Sequence, residues 1–153
     1  MWKAKPWKEL TRDELHGLIR LRVDVFVVEQ DGAYSDVDGK DLRAWHVWAE
    51  SVDASKGMPM LACARVLGPG VSYAEPSIGR VATRRDRRSE GLGKELMKQS
   101  IDVCDRTWPG HNIRISAQCY LESWYGELGF VSVGEPYLED GIPHIQMLRS
   151  ASV

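Results

Sequence analysis

Ser77-Ile-Gly-Arg-Val-Ala-Thr-Arg-Arg-Asp-Arg-Arg-Ser-Glu-Gly-Leu-Gly-Lys94 is the stretch on which the fold turns. Its apolar run (Ile78, Val81, Ala82) predicts a strand over residues 77–83. A charged turn follows, then Gly91-Leu92-Gly93. Leu92, Leu96, Met97, Ile101 and Cys104 then recur at helical spacing and predict a helix from 91 to about 106. A strand–loop–helix of this kind brings bare backbone N–H groups to a helix N-terminus, where the helix dipole favours an anion. Glycines let that backbone approach a phosphate closely. The order therefore implies a phosphate-bearing ligand.

Spacing excludes two familiar phosphate sites. A P-loop needs Gly, four residues, then Gly-Lys-Ser/Thr, but Gly93-Lys94 is followed by Glu95 and position 88 is Arg. A dinucleotide fingerprint needs a third glycine where Leu96 stands.

Outward from this stretch, Thr11-Arg-Asp-Glu14 reads as a capping box. Leu15, Leu18, Ile19, Arg22 and Phe26 follow at helical spacing, predicting a helix over 11–28. Residues 29–43 are polar and rich in Asp and Gly. Residues 45–50 and 60–67 read as antiparallel strands joined by a loop over 53–59. After the central unit, Pro109-Gly110 breaks the chain before a strand at 113–118, a short helix at 121–128 ended by Gly129, and strands at 130–133 and 144–148 joined by a loop over 134–143. Residues 2–7 read as a first strand. This order implies a mixed sheet with helices on its faces. Strand 77–83, the helix after it and strand 113–118 form one parallel crossover.

The 153 residues suit one domain, 1–153, able to bury roughly two thirds of its unfolded surface. A net charge of −2 argues against bulk nucleic acid or an anionic membrane as the main partner. No apolar run approaches the roughly 20 residues of a membrane span, and the N-terminus has no apolar signal region. Cys63, Cys104 and Cys119 are odd in number and sit in apolar segments, which suits free thiols in a reducing cytoplasm.

Arg88-Ser89-Glu90-Gly91-Leu92-Gly93 resembles the acyl-CoA pyrophosphate loop of the GCN5-related N-acetyltransferases, Arg/Gln-x-x-Gly-x-Gly/Ala between a strand and a helix. Ile78-Gly79-Arg80-Val81-Ala82-Thr83 resembles the family's central strand. Trp124-Tyr125-Gly126-Glu127-Leu128-Gly129-Phe130 is similar to its second signature. Leu21-Arg22, Val25 to Gln30, Asp38-Gly39 and Glu139 to His144 resemble the ElaA-like branch, so the likeness covers nearly the whole chain. Two positions depart from the family pattern: Thr83 replaces an apolar residue, and Ala117-Gln118 stands where many members have Asn.

The resemblance implies an α+β (α/β/α) fold. Its mixed, mostly antiparallel sheet would have six or seven strands, one central parallel pair and about four flanking helices. It implies an N-acetyltransferase that carries an acetyl group from acetyl-CoA, with no metal, to a small-molecule or peptide amine. Attack would be direct in a ternary complex, since no cysteine sits at either signature. Val81, Ala82 and Thr83 would hold the pantetheine arm and the thioester oxygen. Arg88, Ser89, Glu90, Gly91, Leu92, Gly93 and Lys94 would hold the pyrophosphate. Tyr125 would give a proton to the departing thiolate, a phenol of pKa ~10 facing a thiol of pKa ~8.5; a core aromatic is its other reading.

The amine needs a base. His144 is the first candidate, since histidine titrates near neutrality; Glu29, His46, Glu75, Glu139 and a water chain are others. Glu29 and Arg80 are expected at the acceptor side, and Arg80 either meets an acidic acceptor or pairs with Glu29. The acceptor pocket is expected from residues 29–43 and 135–144, whose acids (Glu29, Asp31, Asp36, Asp38, Asp41, Glu135, Glu139, Asp140) either favour a cationic acceptor or merely solvate loops. A non-catalytic acyl-CoA-binding module is the alternative function. Nucleic-acid binding through Arg84 to Arg88 is disfavoured by the net charge, and the C-terminal strands leave a homodimer open.

Overall fold

The computed structural model describes residues 1–52 and 59–152. In chain order the elements are β1 (Trp2–Pro6), α1 (Arg12–Arg22), a π-helical segment (Val23–Glu29), β2 (Ala44–Glu50), β3 (Met60–Leu67), β4 (Ser77–Thr83), α2 (Leu92–Thr107), β5 (Ile113–Gln118), α3 (Glu122–Gly126), β6 (Phe130–Glu139) and β7 (Ile142–Arg149). The strands form one seven-stranded sheet in the order β1-β2-β3-β4-β5-β7-β6. Among the described residues only β4 and β5 are parallel neighbours. The described residues hold three α-helices rather than about four. None is long and apolar enough to cross a membrane.

Local chemistry accounts for most of these elements. The Thr11 hydroxyl accepts from the Glu14 N–H at 3.1 Å, and the Glu14 carboxylate accepts from the Thr11 N–H at 2.9 Å, closing the capping box. The helix expected over 11–28 is α-helical only to Arg22. Beyond it the turn widens, Gln30 N–H bonding back to Val25 O at 3.1 Å and Gly32 N–H to Phe26 O at 3.0 Å. The expected loop 134–143 is mostly strand. β6 runs on to Glu139, and the turn is only Asp140-Gly141, both at positive φ (51° and 76°), the hairpin geometry that Asp-Gly favours. Residues 53–58 of the expected 53–59 loop lie outside the described residues.

Two apolar layers sandwich the sheet. On one face Leu96, Met97, Ile101 and Cys104 of α2 pack against Ala62, Ala64, Val66, Ile113 and Met147. On the other, Leu18, Leu21 and Val25 pack against Trp48, Met60, Cys63 and Ala82. β3 is therefore buried along its whole length, as a strand covered on both faces must be.

One irregularity interrupts the pairing of β3 with β4. Gly79 faces Arg65 and Ala82 faces Cys63, so Arg80 and Val81 of β4 together oppose one residue of β3. This is a β-bulge, and Arg80 takes φ of 50° within it. Beside the bulge, β4 and β5 share a single register pair, Ser77 with Arg114, and then diverge. β5 instead pairs along all its residues with β7. The sheet is split down its middle.

His46, on β2, is buried, and its Nε2 donates to Asp41 O at 3.1 Å. Burial holds this imidazole below the usual histidine range. The folded protein thus keeps His46 neutral while the unfolded chain takes up a proton below pH ~6.5. Stability should therefore fall as pH drops below ~6.5. Urea midpoints at pH 7.5 and 5.5 check this: the drop should shrink in His46→Gln, and an unchanged drop would assign the pH dependence elsewhere.

Candidate functional site

The loop after β4 is built by backbone conformation. Ser89 and Gly91 both sit at positive φ (78° and 77°), and α2 begins directly after Gly91. The first helical bond runs from Glu95 N–H to Gly91 O at 3.2 Å, so the Leu92, Gly93 and Lys94 amides precede it. No side chain caps this end. A Cβ at Gly91 would meet nothing within 4 Å, which leaves open space over these amides. Gly93 has a different cause: a Cβ there would come within 3.3 Å of the Trp124 ring, so this glycine lets α2 approach α3.

Four basic side chains around the loop are engaged within the protein. Arg88 grips Glu29 with two bonds, at 2.6 and 2.9 Å, and donates to Thr83 O at 3.1 and 3.3 Å. Arg84 pairs with Asp86 and Arg87 with Glu90. Lys94 pairs with Glu127 at 2.6 Å. The Arg88 carboxylate contact, with a smaller contribution from Arg85, holds Glu29 below the usual carboxylate range. Glu29, expected at the acceptor side, thus faces the loop between β4 and α2. Arg80, one of whose expected partners was Glu29, instead meets Asp36 at 2.9 Å and Asp38 at 3.5 Å, and lies over the Tyr34 ring at 5.2 Å.

From the split between β4 and β5 opens a cleft of about 780 Å³. One wall is Phe26 with the chain from Gln30 to Tyr34. The floor is β4 from Ile78 to Val81, with Ile115, Ser116 and Gln118 of β5. The far wall carries Glu139, Asp140, Ile142 and His144, and Tyr125 stands within it. Tyr125 is 8% exposed, held edge-on by Trp124 and Phe130 at ring distances of 4.9 and 6.1 Å. Burial pushes its phenol up to about 12. Its hydroxyl has no hydrogen-bond partner among the described residues.

His144 Nδ1 donates to Ile142 O at 2.7 Å, and its Nε2 lies 3.3 Å from the Glu139 carboxylate. Tyr137 stacks on the ring, and its hydroxyl is hydrogen-bonded to Ser116. With Nδ1 donating, a neutral imidazole presents its lone pair at Nε2, on the cleft side shared with Glu139. Two other base candidates lie elsewhere. Glu75 is held by Arg114 at 3.0 Å, and His46 is buried on β2; neither lines the cleft. Val81 lines the cleft, whereas Ala82 is turned into the core under α1.

Beneath the cleft lies a network that sequence reasoning missed. Arg22, 3% exposed, donates to the Asp36 carboxylate at 2.9 Å, to Asp36 O at 2.6 Å and to Asp41 at 2.8 Å. Arg65 donates to Asp38 at 2.7 Å and to Asp41 at 3.2 Å. With Arg80 this makes three guanidiniums against three carboxylates. Burial opposes charge at Asp41, but Arg22 and then Arg65 outweigh it and hold the carboxyl below its ordinary range. Three of the acids expected to greet an acceptor or solvate a loop are thus internal counterions. The signal was present: Arg22 falls on the apolar face of its helix, and Arg65 interrupts an apolar strand.

Known proteins share this fold. The acetyltransferase (GNAT) domain family matches residues 40–150. The UPF0039 protein sll0451 of Synechocystis is 37% identical over 147 residues, covering 96% of this chain and 93% of its own. Among solved structures, an acyl-CoA N-acyltransferase from Pseudomonas aeruginosa superposes with a TM-score of 0.90 at 40% identity, covering 98% of this chain and 99% of that one. Escherichia coli ElaA superposes with a TM-score of 0.88 at 36% identity, with coverage of 98% and 99%.

Proposed function

This chain belongs to the GNAT acetyltransferase family, and from that membership we propose that it transfers the acetyl group of acetyl-CoA to a small-molecule or peptide amine by direct attack in a ternary complex. The observation that carries the reading is the order of three features along the expected path of the cofactor: open amides at Gly91–Lys94 after β4, the bulge at Arg80 and Val81 within β4, and the cleft that Val81 and Tyr125 both line.

Each part of the path has its own task. Loop amides over 88–94 hold the pyrophosphate, with Gly91 leaving the room. The pantetheine lies in the split beside Val81 to Thr83, and an amide of the bulge donates to the thioester oxygen as it gains charge. The amine enters between the 26–34 wall and the 139–144 wall. Its proton passes to His144 Nε2, directly or through Glu139 or water. The C–N bond forms, the tetrahedral centre collapses and the C–S bond breaks. Tyr125 faces the departing sulfur. A phenol pushed up to about 12 stays protonated at any working pH, but full transfer to a thiolate of pKa ~8.5 is uphill. Tyr125 therefore acts as a hydrogen-bond donor to the developing thiolate, and the proton taken from the amine balances the sulfur.

Parallel calorimetric titrations with acetyl-CoA, CoA and ATP test the reading. Both CoA species should bind. Gly91→Trp should weaken them at least ~10-fold by filling the open space, while left-handed strain of about 1–2 kcal/mol leaves the chain folded. A folded protein that ignores CoA would sink the proposal. CoA binding with no amine acylated would leave the non-catalytic acyl-CoA-binding module.

A further inference from the structure

Lys40, Arg65 and Arg80 all line the cleft. Arg65 and Arg80 are answered from within, since between them they face Asp36, Asp38 and Asp41. Lys40 has no such answer. Its Nζ donates to Ser72 Oγ at 2.8 Å, and no carboxylate among the described residues pairs with it. The network beneath the cleft fixes where this half-buried ammonium stands. Lys40 N–H donates to Asp38 Oδ1 at 3.0 Å, and the same carboxylate bonds Arg65 at 2.7 Å and meets Arg80 at 3.5 Å. Arg65 lies opposite Gly79 in the register of β3 with β4. Lys40 therefore belongs to the part of β4 before the bulge, away from the loop that leads into α2. Two more donors lie at this corner. Ser72 accepts from Lys40, which leaves its own O–H to donate, and the buried Arg65 Nε has no hydrogen-bond partner among the described residues. The far wall has the opposite sign, with Glu139 and Asp140, and His144 beside Glu139.

Resting on the acetyl-transfer reading above, we propose that the acceptor is an amine that also carries a carboxylate: the carboxylate rests on Lys40 and Ser72, and the amine lies toward Glu139 and His144. Each end of such a molecule meets its opposite charge. A diamine would set one ammonium against Lys40, and a plain monoamine would leave Lys40 without a counterion, so the cleft discriminates by repulsion as well as by attraction. The bond from an ammonium to a carboxylate is charge-assisted, roughly twice as strong as one between neutral groups. Lys40 is then a specificity residue. It touches the far end of the acceptor and takes no part in the proton transfers at the amine and the sulfur.

Unbranched ω-amino acids of increasing length, from glycine and β-alanine onward, each matched with its carboxamide, test this with acetyl-CoA in the wild type, Lys40→Met and Lys40→Arg. At the best length the acid should exceed its amide in kcat/KM by about tenfold in the wild type, with the difference in KM. Acid and amide should become equal substrates of Lys40→Met, and Lys40→Arg should restore part of the preference. Equal use of acids and amides by the wild type would overturn the proposal, as would a preference that Lys40→Met retains. Calorimetric titration of the same acids into the protein, with and without CoA, reads the site apart from turnover. Acids that bind the wild type but not Lys40→Met, with no amine acetylated, would keep the carboxylate site and remove the transferase reading. Acids that neither bind nor react would overturn the site.

Discussion

Tyr125→Phe should lower kcat for acetyl transfer by about 10²-fold and leave the Kd for acetyl-CoA unchanged. The effect lies in the hydroxyl. It is the one polar atom of a side chain otherwise packed between Trp124 and Phe130, and no neighbour among the described residues bonds it. Removing it takes nothing from the fold and leaves no unpaired partner, so thermal stability should hold. What is lost is a donor facing charge that exists only as the C–S bond breaks. Such a loss appears in kcat and not in ground-state binding. A hundredfold is about 2.7 kcal/mol, the low end for an acid catalyst, as expected for a phenol too weak to surrender its proton fully. Because burial pushes this phenol up to about 12, the activity should also show no loss near pH 10 from its ionisation. Full turnover by Tyr125→Phe would remove it from the mechanism and return it to the core.

Arg22→Met should destabilise the protein by about 3–5 kcal/mol, which on a chain of this length lowers Tm by roughly 10 °C. The cost comes from what stays behind. Methionine fills most of the space, but Asp36 and Asp41 remain buried, and Asp36 loses the guanidinium that bonds both its carboxylate and its carbonyl. Removing one carboxylate with the guanidinium keeps the remaining charges balanced and should be gentler, so Arg22→Met with Asp36→Asn should recover part of the loss. The exposed Arg106–Asp102 pair is a fitting contrast: its removal should cost no more than about 1 kcal/mol. Thermal melts of the three proteins settle the comparison. A small effect of Arg22→Met alone would mean that water reaches the network and solvates the carboxylates.

The same network separates what the chain makes legible from what it hides. Strand, glycine loop and helix are legible because their causes are local. Gly91 needs positive φ, the apolar residues of α2 repeat at helical spacing, and Thr11 and Glu14 cap each other three residues apart. The hairpin is half legible: Asp140-Gly141 is a strong turn signal, but Gly134 and Pro136 interrupt the pattern and hide the continuation of β6 to Glu139. The helix over 11–28 has the right phase, yet no periodicity announces a turn that widens after Arg22. The acceptor side reads as acidic because composition counts charges without pairing them.

By itself, then, the sequence determined the order of elements, the placement of a glycine loop between β4 and α2, and the two signatures that mark the family. These depend on backbone preferences and repeats that neighbouring residues specify among themselves. Only the tertiary structure decided that Asp36, Asp38 and Asp41 answer to Arg22, Arg65 and Arg80, that Glu29 belongs to Arg88 and not to Arg80, and that His144 shares its cleft with Tyr125 while His46 and Glu75 do not. Ion pairs and clefts join residues tens of positions apart. Their partners are chosen by how the sheet splits and how the helices pack, and nothing in the local chain carries that choice.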